Sequence, residues 1–196
     1  MKRVIVIGGG PAGLMAAEVL AKGGAEVHLY DGMPSVGRKF LLAGRGGLNL
    51  THSEGDDAFA SRFGARRAAV EPLLREFGAR EVVAWAEGLG ISTFVGTSGR
   101  VFPKDMKAAP LLRAWLHRLR EAGVVFHMRH RFTGWGAEGE FLFESPSGAV
   151  QVQASCTVLA LGGASWKRLG SDGAWAPLLA ARGVGVAALQ PANCGF

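Results

Sequence analysis

The sequence predicts an α/β fold, a central parallel sheet with a small antiparallel β-meander beside it, and three observations predict this. A run of β-branched residues, Val4-Ile5-Val6-Ile7, opens directly into Gly8-Gly9-Gly10. A second apolar run, Thr157 to Leu161, likewise ends in Gly162-Gly163. Between them, from Val124 to Gln153, lie three short strand-like segments rich in Val and Phe. Continuous apolar strands suit a parallel sheet buried on both faces, and short strands joined by tight turns suit a meander.

Taken in order, Val4 to Ile7 is the first strand. From Ala12 to Lys22 the residues Leu14, Ala17, Val19 and Leu20 recur at helical spacing. Pro11 suits a helix's first turn and Gly23-Gly24 closes its end. Glu26 to Tyr30 reads as the second strand. Residues 32 to 57 carry glycines and charges without periodicity and read as a long loop, of the kind that is usually functional. Helices follow at about 65–77 and 79–88, a hairpin from Ile91 to Phe102, and a helix from Ala108 to Ala122. Strands are then expected at Val124–Phe132, Glu140–Glu144 and Ala149–Gln153, the last two joined by Ser145-Pro146-Ser147-Gly148, with the meander occupying about 132–153. Thr157 to Leu161 and a final helix from Ala174 to Arg182 complete the reading.

Composition sets the outer limits. A chain of 196 residues that is 48% hydrophobic buries one good core. The net charge of +6 suits an anionic partner, a pyrophosphate as well as a nucleic acid. Cys156 and Cys194 form no C-x-x-C pair, so neither dithiol chemistry nor a structural zinc is expected. Gly8-Gly9-Gly10-Pro11 interrupts the first apolar stretch after four residues, which excludes a signal peptide. No apolar run reaches the ~18 residues a membrane span needs. A cytoplasmic location and no membrane partner are therefore expected.

The motif with the clearest chemistry is Gly8-Gly9-Gly10-Pro11-Ala12-Gly13, which fits G-x-G-x-x-G between a strand and a helix. In a dinucleotide-binding Rossmann-like unit the first glycine makes the turn, the second lets the backbone approach a pyrophosphate, and the third lets helix and strand pack closely. The helix N-terminus, with its unpaired N–H groups, favours the anion. Asp31, at the end of the second strand, is placed to accept hydrogen bonds from the adenosine ribose, and its charge would repel a 2′-phosphate. This favours FAD or NAD over NADP. The bland reading, glycines that merely turn the chain, loses ground because strand, helix and Asp31 all stand in place. A NAD domain continues with alternating strands and helices. Here a long loop and a meander intervene before the next apolar strand, the order of two-dinucleotide-type flavoproteins, so FAD is the expected cofactor.

Four further motifs carry a resemblance: Gly37-Arg38-Lys39-Phe40-Leu41; Gly44-Arg45-Gly46-Gly47-Leu48-Asn49-Leu50-Thr51; Gly99-Arg100-Val101-Phe102-Pro103; and Leu159 to Ser165 with Gly170-Ser171-Asp172-Gly173. With them, nearly the whole chain resembles FAD-dependent oxidoreductases of the YhiN/BaiN type, which include aminoacetone oxidase. The resemblance implies that Arg38 and Lys39 lie near the FAD phosphates and ribityl chain. It also implies that the Gly44 to Thr51 loop, with Gly46 and Asn49, passes close to the flavin. In such flavoproteins the strand entering the meander, near Phe132, contacts adenine through its backbone. Gly162-Gly163 resembles the second glycine turn, which lies against the dinucleotide. Many relatives read Gly-Arg-Cys-Asn where this chain reads Gly46-Gly47-Leu48-Asn49, so no thiol can act there. Relatives also continue beyond Phe196 into a substrate domain and a return segment. Residues 1–196 are thus expected to form a Rossmann-like domain that is incomplete by itself.

The remaining candidates take bland readings. His52, His117, His127 and His130 show no metal-ligand spacing, and His127 and His130 on one strand would face opposite sides. No metal site is expected. Trp85 and Trp115 sit on helices and read as core. Cys156, beside a buried strand, reads as a small hydrophobe. In a flavoenzyme the isoalloxazine supplies the redox chemistry, so no side-chain catalyst stands out. The expected function is an FAD-dependent oxidoreductase passing a hydride or electron pair between a small organic substrate and NAD(P)H or dioxygen. A NAD-binding module without flavin ranks second. An FAD-dependent RNA-modifying protein ranks third, because the arginines are scattered and no aromatic platform motif stands out. Nothing in the sequence indicates an oligomeric state.

Overall fold

A computed structural model describes residues 2–43 and 46–190. Its centre is a four-stranded sheet in the order β10 (Cys156–Leu159), β1 (Arg3–Ile7), β2 (Glu26–Asp31), β6 (Val125–Met128). Every neighbouring pair is parallel, with Ile5 opposite Thr157 on one side and His28 on the other. Val4, Ile5, Val6 and Ile7 are all buried, which is why β1 reads as an unbroken apolar run. Helix α1 (Pro11–Lys22) buries Leu14 and Ala17 on the expected stripe. Val19, expected on that stripe, is exposed, and Glu18 is buried instead, accepting from Lys22 Nζ at 2.7 Å. The charge partner one turn on makes that burial affordable.

The antiparallel sheet β7 (Arg131–Trp135), β8 (Phe141–Ser145), β9 (Gly148–Val152) is the meander. Phe132, Phe141, Phe143, Val150 and Val152 pack on Ile5, Ile7 and Tyr30, so it covers one face of the parallel sheet. Its register slips between Phe132 and Gly134, a bulge that Gly134 accommodates at φ 138°. The expected strand from Val124 to Phe132 is divided in two. Arg129 turns through φ 59°, so β6 joins the parallel sheet and β7 begins the meander.

By contact the chain divides into two compact units, residues 1–39 with 119–196, and residues 40–118. The second unit lies in the chain between β2 and β6. It holds a small sheet, β3 (Thr51–His52), β5 (Arg100–Pro103), β4 (Thr93–Val95), with helices α3 (Asp56–Ser61), α4 (Arg67–Glu76) and α5 (Ala79–Gly88) and most of α6 (Ala108–Glu121). Trp85 meets Trp115 edge-to-face at 4.7 Å, and Trp115 is buried with Leu111, as core tryptophans are. The stretch 32–57, expected as loop, contains β3, α2 (Arg38–Ala43) and the start of α3. These elements are too short to carry a period. A last short helix, α7 (Trp175–Ala180), follows β10. No helix among the described residues is long and apolar enough to cross a membrane.

Candidate functional site

The turn between β1 and α1 separates its glycines by what each one touches. Gly8 sits at φ 114°, and a Cβ there would overlap the Ala160 carbonyl oxygen. A Cβ at Gly13 would overlap the Gly8 carbonyl oxygen. Gly9, which the motif leaves unconstrained, would press its Cβ into Val36 and to 2.8 Å from Asp31 Oδ2. At Gly10 no atom of the described residues comes within 4 Å. Packing within the chain therefore demands three of these glycines and leaves the fourth facing open space. Gly10 is also the N-cap of α1, with no side-chain cap and no acidic residue in the first turn, and Pro11 and Ala12 beside it are exposed. The uncapped N–H groups and the positive end of the helix dipole are free to meet an anion.

Asp31 anchors this turn. Its Oδ2 accepts the Gly9 N–H at 2.6 Å and its Oδ1 accepts the Met33 N–H at 2.7 Å. Burial pushes the Asp31 carboxyl above its ordinary value, opposed by those two N–H donors and the nearby Arg38 charge. Two acceptor lone pairs remain for a ligand's hydroxyls. Beside Asp31 opens a cavity of about 310 Å³ whose walls include Gly32, Met33, Phe132, Leu161 and Trp175. An ion pair stands at it, Arg131 Nη2 to Asp172 Oδ2 at 2.7 Å, and the Arg131 guanidinium holds the Asp172 carboxyl below its usual range. Asp172 Oδ1 also accepts the Ala174 N–H just before α7.

Histidines gather behind Tyr30. His127 stacks on Tyr30 at 4.2 Å and His130 meets both rings edge-on. The expectation that His127 and His130 face opposite sides fails because the chain leaves β6 at Arg129. His28 bridges Glu26 and His127 at 3.0 and 2.9 Å. Burial and the neighbouring His28, His130 and Arg3 lower His127 to about 4. The Tyr30 carbonyl in turn accepts the Gly8 N–H at 2.8 Å, tying this ring stack to the glycine turn.

Of the other expected residues, Phe132 lines the cavity and packs edge-on to Trp135. Arg38 has a buried Nε with no partner among the described residues. Lys39 Nζ donates to Ser165 Oγ at 2.8 Å. Gly162 is at φ 70° and Gly163 has open space at its Cβ position. Gly46 and Asn49 lie in the 40–118 unit. Gly46 is unconstrained, and Asn49 lines a different cavity with His52 and Arg100. In that motif Gly47 is the constrained residue, at φ 122° against Met106, while Gly44 and Arg45 lie outside the described residues. His52 is committed to structure, bonding the Ser98 carbonyl and the Glu54 N–H. Cys156 is exposed rather than buried, because β10 is the sheet's edge strand. No cluster of His, Cys, Asp or Glu among the described residues suits a metal ion.

Sequence reasoning missed Gly9, Met33, Arg131 and Trp175. The glycine triplet hinted at Gly9. Met33 lies two residues past Asp31, Arg131 comes near it because β6 and β7 return to the end of β2, and Trp175 because α7 follows β10.

Comparison with known proteins places this geometry. The HI0933-like protein Rossmann domain family matches residues 2–191. The ribosomal RNA dihydrouridine synthase of Haemophilus influenzae is 46% identical over 50 residues, 26% of this chain and 12% of that protein. Among solved structures, the 3-ketosteroid-delta4-(5alpha)-dehydrogenase of Rhodococcus jostii RHA1 has a TM-score of 0.63 at 15% identity over 83% of this chain and 46% of that one. A flavocytochrome c3 fumarate reductase has a TM-score of 0.61 at 20% identity, covering 83% and 34%. THI4 of Thermovibrio ammonificans has 0.51 at 18%, covering 82% and 57%. At these identities the structural likenesses show the fold alone. The chain spans roughly half or less of the length of most of these proteins.

Proposed function

The chain belongs to the HI0933-like Rossmann-domain family, a family of FAD-dependent oxidoreductases, and from that premise we propose that it holds FAD for a hydride or electron-pair transfer. One observation carries the reading: Gly10 leaves open backbone between an uncapped helix N-terminus and the half-buried Asp31 carboxylate. Phosphates belong at the first and ribose hydroxyls at the second. The α1 N–H groups and Arg38, whose buried Nε lacks a partner, would hold the pyrophosphate. Lys39, Gly162 and Gly163 would border the rest of the cofactor, and the cavity beside Phe132 would take the adenosine end. Bound flavin supplies the redox chemistry. The chain's own residues bind, orient and exclude water.

For the substrate we favour a small organic molecule, with NAD(P)H or dioxygen as the electron partner. Leu48 stands where many relatives carry cysteine, so no thiol acts at that position. A second reading, reduction of a base in RNA, is favoured by the 50-residue match to a ribosomal RNA dihydrouridine synthase.

Visible absorption of the purified protein tests the cofactor. Flavin bands that disappear in Gly10→Val and Asp31→Ala are expected. A cooperatively folded protein that stays colourless when titrated with FAD would overturn the reading and leave nucleotide binding without flavin.

A further inference from the structure

The small sheet of the 40–118 unit ends in β4, a strand whose outer edge is unpaired among the described residues. β4 meets β5 with Thr93 opposite Pro103, Phe94 opposite Phe102 and Val95 opposite Val101. At the two ends of that pairing, Lys104 N–H donates to the Ser92 carbonyl at 2.9 Å and Gly96 N–H to the Arg100 carbonyl at 2.8 Å. Bonded and unbonded pairs alternate along an antiparallel ladder. With Ser92 and Gly96 bonded to β5, Phe94 is the bonded residue between them, and the N–H and C=O groups of Thr93 and Val95 point outward. Pro103, opposite Thr93, fits this phase because it has no N–H to donate.

Proteins guard open edges with charges or proline. This edge has neither: from Gly88 to Gly99 the chain carries no charged residue, histidine or proline. β3, at the sheet's other edge, spans two residues and runs into Ser53-Glu54. Two consecutive large apolar side chains stand on β4, Phe94 at 39% and Val95 at 56% exposure, on opposite faces of the sheet. The edge also matches itself. A twofold axis through Phe94 sets Thr93 opposite the partner's Val95 and Val95 opposite the partner's Thr93, and four hydrogen bonds then satisfy every outward group of both copies. Phe94 falls opposite the partner's Phe94 in an unbonded pair, where side chains come closest and aromatic pairs are favourable. On the other face Thr93, Val95 and Val101 line a cavity of about 570 Å³ with Val83 and Ala84, and the partner's Thr93 and Val95 extend that wall. We infer that β4 is a homodimer interface, through which two copies of this chain join their three-stranded sheets into one of six strands. A contact this short buries less than the ~1,200 Å² of a standard complex, so the dimer is weak and depends on concentration.

The test is sedimentation velocity of the purified chain from about 1 to about 300 µM, the range of weak association. Wild type is expected to pass from monomer to dimer across it. Val95→Pro removes two of the four donors and is expected to weaken dimerisation about thirtyfold. The Val95 N–H faces away from β5, so the sheet within each copy keeps its bonds. Phe94→Lys and Phe94→Glu each set like charges opposite one another across the axis. Either alone is expected to stay monomeric, and their equimolar mixture to dimerise. Leu73→Lys, at a 67% exposed position on α4, should leave the dimer intact. Unchanged circular dichroism and Tm show that each variant is folded. A wild-type chain that is monomeric at the highest concentration overturns the inference. A dimer that Val95→Pro leaves untouched overturns it by placing the interface elsewhere. Failure of the Lys and Glu variants to dimerise on mixing overturns the twofold pairing through Phe94.

Discussion

The two glycine turns of this protein look alike in sequence and behave differently in three dimensions. In the turn after β1, Gly8, Gly9 and Gly13 are each pressed against backbone or side chain, and only Gly10 is open. In the turn after β10, Gly162 needs its glycine for φ 70° and meets Ser171 Oγ only at 3.5 Å, while Gly163 meets nothing. The first turn is close-packed except at Gly10, at the helix N-terminus, whereas the second is loose. A glycine is thus demanded by the fold, by backbone conformation or by a ligand, and only the surroundings tell which.

Substitutions can break this comparison, and the largest effect belongs to the tightest position. Gly13→Val is expected to cost about 3 kcal/mol or more, because overpacking against backbone cannot relax through a side chain. Urea denaturation measures it, and a loss no greater than that of Gly10→Val would erase the distinction within the turn. Asp31→Ala comes next, at about 2 kcal/mol or more, since the Gly9 and Met33 N–H groups both lose their acceptor.

Two pH effects sharpen the picture. Because Asp31 is raised in the fold, its contribution is fully present below 3.8 and is lost as pH rises through the folded value. The advantage of wild type over Asp31→Asn should therefore be greatest in acid and shrink above that pH, read as the difference in Tm. His127 acts in the opposite sense. Lowered from 6.5 to about 4, it adds stability above pH 6.5 that is lost as pH falls through about 4. Wild-type Tm should fall over that window and His127→Phe should flatten the fall, with partial exposure keeping the effect modest. Gly163→Ala closes the series, with a change within about 0.5 kcal/mol. A larger loss would show that the second turn is packed after all.

Much of this architecture was legible in the residues. The β1–α1–β2 unit, helices α4 to α6 and the meander announce themselves through apolar runs, helical spacing and turn residues, all set by contacts close along the chain. Gly8, Gly13 and Asp31 could be named because one short strand–turn–helix places them. What lay beyond reach depends on pairing between distant segments. Whether Val125–Met128 joins the parallel sheet or the meander is decided by the turn at Arg129 and by β2, about a hundred residues earlier. That one decision brings His127 and His130 together on Tyr30, carries Arg131 and Phe132 to the cavity beside Asp31, and undoes the expectation that the histidines face apart. Cys156 is exposed for a related reason: β10 lies at the edge of the four-stranded sheet, with β1 as its one neighbour among the described residues. Local sequence determined which segments become strands and helices and where the phosphate-binding turn lies. Only the tertiary structure decided which strands are neighbours, and hence which side chains share the site, because that choice is made by burial between residues the chain separates widely.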